Sequence, residues 1–110
     1  MSKIVKPYDE VQINEHAAKC GGTRNLKEVI ITDEDGVQYY FLVKRPTRSV
    51  VQASAVAVQA KDIKTQHKLA IGCVLEGDME IIEQDGVMFA ELLARIQFIG
   101  KTVTSEIKNF

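Results

Sequence analysis

Four side chains of this sequence are capable of nucleophilic or metal chemistry: His16, His67, Cys20 and Cys73. A Cys–His nucleophile needs the two groups side by side, with a third residue to orient the base. Nothing in the spacing supplies that arrangement. Neither histidine has a Cys, His or Asp at ligand spacing, and HExxH and CxxC patterns are absent. Cys73 lies among apolar residues, Ala70, Ile71, Val74 and Leu75, where a small buried hydrophobe is the natural reading. Two cysteines are too few for a disulfide scaffold, so both are expected to be reduced. The histidines read as surface or structurally satisfied groups. The expectation is a protein with no catalytic residue, no metal and no cofactor.

Carboxylates fall in two clusters. Asp33, Glu34 and Asp35 precede Gly36 and read as turn chemistry. Glu76, Asp78, Glu80 and Glu83 surround a helix junction, where acids complement helix N-termini, and they lack the spacing of an EF-hand loop. No GxxxxGK[ST] or GxGxxG phosphate loop is present, and Gly21-Gly22 is a helix stop.

The basic run Lys44-Arg45-Pro46-Thr47-Arg48 is the most suggestive feature. Its three cations converge where a strand hands over to a helix. They either pair with nearby acids such as Glu76 or Asp78, or recognise an acidic segment of a partner. Nucleic acid ranks third, because no aromatic platform is interleaved with the run.

The elements that position these residues follow from periodicity. With 110 residues there is room for one domain, able to bury roughly two-thirds of its unfolded surface. An apolar share of 45% with 26% charged residues is ordinary globular usage, and a net charge of −1 provides no global field for nucleic acid or lipid. Residues 1–7 show no periodicity and read as a flexible arm. A short helix follows over Tyr8 to Lys19, stopped by Gly21 and Gly22. Lys27 to Thr32 and Val37 to Val43 are β-branched or aromatic around Asp35-Gly36, which predicts a hairpin. Residues 8–44 thus form helix plus hairpin, and residues 45–110 form a helical part. In it, Thr47 or Ser49 caps a helix to about Ala60. Asp62 caps the next, which carries Ile63, His67, Ala70, Ile71, Val74 and Leu75 and is closed by Gly77. Asp78 caps a short helix broken by Gly86. The fold class expected is α+β: an N-terminal helix and β-hairpin followed by a small α-helical bundle.

The last helix is expected to be the longest, with Phe89, Leu92, Leu93, Ile96, Ile99, Val103, Ile107 and Phe110 along one face and a bend at Gly100. Core packing explains most of such a stripe. Its surplus length beyond Ile99 suggests an exposed amphipathic end that binds a helix or self-associates. The N-terminus has no apolar signal region, and no apolar run approaches the ~18 residues of a spanning helix, so the cytoplasm is expected.

The stretch Tyr40-Phe41-Leu42-Val43-Lys44-Arg45-Pro46-Thr47-Arg48, followed by helices and then Cys73-Val74-Leu75-Glu76-Gly77-Asp78, resembles the tail assembly chaperones of long-tailed bacteriophages. The resemblance implies a non-enzymatic factor that coats the aggregation-prone tape measure protein while tail tube subunits polymerise around it, and in that family a longer frameshifted form is common. The expected partner surface comprises Lys44, Arg45 and Arg48 with Ile99, Val103 and Ile107. Partners would be the tape measure protein, tail tube protein or a second copy of this chain, with no membrane. The alternative is a small phage or bacterial adaptor or regulatory domain, nucleic-acid associated through residues 44–48.

Overall fold

The computed structural model describes residues 3–99 and 103–110. The chain is α+β, and its sheet is organised around one strand. Strands β2 (Leu26–Thr32) and β3 (Gln38–Lys44) form the expected hairpin, antiparallel from Leu26↔Lys44 to Thr32↔Gln38. Asp33 builds the turn. Its Oδ1 accepts from the amides of Asp35 and Val37, each at 2.9 Å, and Gly36 takes the left-handed conformation at φ 81°.

The outer edge of β3 is covered by two short strands in line. At one end β1 (Ile4–Val5) runs parallel to it, and the Gln38 amide donates to the Lys3 carbonyl at 2.9 Å. At the other end β4 (Val74–Glu76) runs antiparallel, and the Lys44 amide donates to the Cys73 carbonyl at 2.9 Å. Both strands depart from expectation for the same reason. A central strand has backbone donors and acceptors on each side, and burial makes leaving either side unpaired costly. The stretch expected to be a loose arm is therefore drawn onto the sheet at Ile4–Val5. The helix expected to reach Leu75 stops at Ile71, is capped by Gly72, and gives up Val74 and Leu75 to a strand on β3.

Alternation along the hairpin makes two faces. On one, Val29, Ile31, Phe41 and Val43 join Cys73, Ile82, Met88, Leu92, Ile96 and Ile99 in the main core. On the other, Leu26 and Leu42 join Tyr8 and Ala17 in a smaller cluster under α1 (Glu10–Cys20). Asp9 opens α1 with a reciprocal pair of bonds to Gln12, and Gly21 closes it at φ 83°.

Helix α2 (Arg48–Gln59) is capped by Thr47, whose Oγ1 accepts from the Val50 amide at 3.4 Å. Helix α3 (Ile63–Ile71) is capped by Asp62, which accepts from the Thr65 amide at 3.1 Å and the Thr65 hydroxyl at 2.6 Å. Helix α4 (Met79–Gln84) begins at Asp78 as expected. Gly86, expected only to break α4, is the first residue of α5 (Gly86–Ile99), because Asp85 caps the new helix through the amides of Val87 and Met88.

Helix α5 buries Met88, Leu92, Ile96 and Ile99, a stripe at helical spacing pressed on the sheet. Residues 103–110 are exposed and carry no secondary structure, which corrects the expectation of one continuous stripe to Phe110. The physical reason lies in the sheet, which gives apolar side chains a surface to cover only as far as Ile99. The bend expected at Gly100 lies outside the described residues.

Candidate functional site

The basic run leaves the sheet at the end of β3 and enters α2, and two depressions flank it. The first is a cleft of about 430 Å³ between the C-terminal end of α1 and residues 44–47, lined by Lys19, Cys20, Asn25, Lys44, Arg45, Pro46 and Thr47. Its floor is held by local bonds. The Asn25 side-chain amide donates to the Cys20 carbonyl at 2.6 Å, and the Arg45 amide donates to the Asn25 carbonyl at 2.8 Å. A 3₁₀ turn over Thr23–Asn25 thus fixes the basic run against the end of α1.

Three cations face this cleft, and no carboxylate lines it. Among the described residues, ion pairs join Lys6 to Glu28, His16 to Glu76 and Arg95 to Glu91. None involves Lys44, Arg45 or Arg48. The acids that could have neutralised the run are engaged elsewhere: Glu76 accepts from His16 Nε2 at 3.0 Å, and Asp78 caps α4 through the Ile81 amide at 3.3 Å. Lys44 and Arg45 are half-buried, whereas Arg48 is exposed and does not line the cleft.

The second depression is an apolar groove of about 180 Å³ where α2, α3 and α5 meet, lined chiefly by Pro46, Val50, Val51, Ala70, Cys73 and Ile96. Pro46 lines both depressions, so cleft and groove are neighbours on either side of it. Beside the groove, α2 has only Ala57 buried, and Val51, Val56 and Val58 are exposed. From Ser49 to Ala60 the segment SVVQASAVAVQA contains no charged side chain. A surface helix is normally polar on its outer face. This one is not.

The other residues singled out by type are placed in structural roles. His67 packs edge-on against Phe89 with ring centroids 5.5 Å apart. Cys73 is 1% exposed, its thiol directed at the Leu69 carbonyl at 3.6 Å, and burial pushes its pKa up against a smaller opposing pull from Lys44. Among the described residues no group of three or more His, Cys, Asp or Glu side chains is arranged to hold a metal ion. No helix among them is long and apolar enough to cross a membrane.

Of the partner residues expected from sequence, Ile99 is buried at 7% exposure and is corrected from surface to core. Val103 and Ile107 are exposed, though outside any helix. Lys19 joins Lys44 and Arg45 only through the fold, since α1 must pack back on the sheet to bring it there. The apolar flank of α2 was readable from the uncharged stretch 49–60, a signal that residue-by-residue reading for chemistry passes over.

No family model matches the chain. No curated protein and no solved structure is significantly similar to it either.

Proposed function

We propose that this chain is a non-enzymatic assembly chaperone of the phage tail type, which covers an apolar helix of the tape measure protein in the host cytoplasm until tail tube subunits replace it. One observation carries the reading: α2 offers an uncharged flank on which Val51 and Val58, seven residues apart, are exposed beside an open apolar groove. Exposed apolar surface of this kind is costly to solubility and is retained where a partner covers it. A helix laid along α2 would bury its own stripe in the groove, the usual mode of helix recognition. Lys44, Arg45 and Arg48 stand at one end of that surface, and Val103 and Ile107 on the C-terminal segment remain available to extend it. A chaperone that must later leave needs an affinity set by a fast off-rate, which fits a shallow groove better than a deep pocket.

Co-expression with a tape measure fragment tests the reading. The fragment should become soluble with the native chain and lose that benefit with a Val51→Asp, Val58→Asp variant. No gain in solubility with the native chain sinks the proposal.

The three cleft cations without carboxylate partners favour one second reading, an adaptor that holds nucleic acid through residues 44–48. It requires a salt-dependent mobility shift of DNA or RNA that is lost on Arg45→Ala with Arg48→Ala.

A further inference from the structure

Two ion pairs of the described residues tie distant parts of the fold together. Lys6 and Glu28, each 35% exposed, lie 3.4 Å apart, and Glu76 meets His16 at 3.0 Å. The cations of the cleft have no such partner among the described residues. Lys44 and Arg45 are half-buried in a recess that Lys19 also lines, and no carboxylate is among its walls. An anion from outside would give these cations the partner that the fold does not. On the other side of Pro46 lies the groove, whose walls, Val50, Val51, Ala70 and Ile96, suit an apolar occupant of about one Leu or Met side chain in size.

We propose that cleft and groove act as one bipartite site for a helix of another protein, seating carboxylates between Lys44 and Arg45 and an adjacent apolar side chain against Val50, Val51 and Ile96. The identification of the partner as a protein rests on the chaperone reading above, and deepens it by naming the chemistry read: acid beside grease. Charge complementarity selects the acid. The planar guanidinium of Arg45 can take a carboxylate through two parallel bonds, and Lys44 and Lys19 supply point charges around it. Nucleic acid fits less well. Neither depression has an aromatic wall on which a base could stack, and a chain with net charge −1 has no overall field to collect a polyanion. A free phosphate would satisfy the cations and leave the groove unused.

The test is a fluorescence anisotropy titration of the full chain with a dye-labelled amphipathic peptide bearing a Glu-Glu pair one helical turn from a Leu-Leu pair. Companion peptides carry Gln-Gln or Ser-Ser in their place. Changing Glu-Glu to Gln-Gln should weaken binding at least about tenfold, as expected for loss of a desolvated charge pair. Arg45→Gln should erase the Glu-over-Gln preference and keep the Leu-over-Ser preference. Val51→Asp should do the reverse. Such a crossed pattern cannot come from misfolding, and thermal melts of both variants should match the native chain.

Equal behaviour of the Glu and Gln peptides, including failure of both to bind, overturns the proposal. So does tighter binding of single-stranded DNA than of the Glu peptide, or complete competition by inorganic phosphate. Concentration-dependent self-association that is abolished by Glu106→Gln would assign the site to a second copy's C-terminal segment and overturn it as well. The two readings fail separately. If Arg45→Gln still solubilises a tape measure fragment fully, the acid-reading site falls and the chaperone stands. If the fragment is not solubilised but the crossed pattern holds, the site stands and the tape measure is not its partner.

Discussion

Gly77 packs directly against the ring of Phe41. A Cβ built on Gly77 would sit 3.0 Å from Cε1 and 3.1 Å from Cγ of that ring, and closer still to Cδ1. Phe41 is wholly buried and central to the main core, so it has no room to retreat. Gly77 also holds φ 151°, a conformation that L side chains rarely adopt. The glycine is therefore required twice over, by its backbone and by its neighbour.

Gly77→Ala should destabilise the fold by about 3 kcal/mol, the sum of overpacking and backbone strain. Gly36→Ala separates the two contributions, because Gly36 holds φ 81° with nothing within 4 Å of its added Cβ. That variant should lose only about 1 kcal/mol. Urea unfolding of the two variants checks the contrast, and equal losses would remove the role given to Phe41.

Alkaline pH should weaken the fold through Tyr8. Burial, followed by the hydrogen bond it donates to Glu28 at 2.7 Å and the charge of that carboxylate, raises the phenol well above its ordinary value of 10.0. Above that value the unfolded chain releases a proton that the folded chain retains. Stability is then present in full below about pH 10 and declines as pH rises further. Burial likewise raises Cys73 from its ordinary 9.0, so the decline should begin near pH 9. Tyr8→Phe should flatten the alkaline limb while costing about 1 kcal/mol at neutral pH, where the bond to Glu28 is lost. A denaturation series from pH 7 to 11 reads both effects.

The two thiols should react on different timescales. Cys20 lines the basic cleft and is partly accessible, while Cys73 lies at the apolar groove with only 1% of its surface exposed. A maleimide should modify Cys20 promptly and Cys73 only through opening of the core, slower by at least about a thousandfold. Mass spectrometry after brief labelling gives the answer. A bulky adduct at Cys20 should also weaken the Glu-peptide binding described above, since it would stand in the cleft.

Local chemistry made much of the fold legible. The hairpin lies where Asp35-Gly36 marked it, although Asp33 rather than Asp35 holds the turn with Gly36, and Thr47, Asp62 and Asp78 each cap a helix where the sequence placed a cap. The elements that escaped were those whose conformation is decided by a distant strand. Ile4–Val5 and Val74–Glu76 are too short to announce themselves by alternation, and they are strands because β3 has an open edge. The site was half legible on the same logic. Lys44 and Arg45 are adjacent in sequence, but Lys19 reaches them only after α1 packs, and Glu76 is withdrawn from them by His16, 60 residues away. Periodicity also overran the end of α5, because Val103, Ile107 and Phe110 continue the spacing beyond the surface that rewards it.

That overrun gives a direct contrast between two isoleucines of one apparent stripe. Ile96 is 5% exposed and packs on the sheet, whereas Ile107 is 93% exposed. Ile96→Ala should cost about 2–4 kcal/mol, from lost transfer energy and a cavity that the well-packed sheet cannot close. Ile107→Ala should change stability by less than about 0.5 kcal/mol, as a surface substitution does. Chemical denaturation of the two variants distinguishes the structure from the continuous helix that the spacing alone predicts. On a continuous core stripe both substitutions would be costly. A loss at Ile107 comparable to that at Ile96 would mean that the C-terminal segment packs on this fold in solution, and Val103 and Ile107 would then be withdrawn from the partner surface.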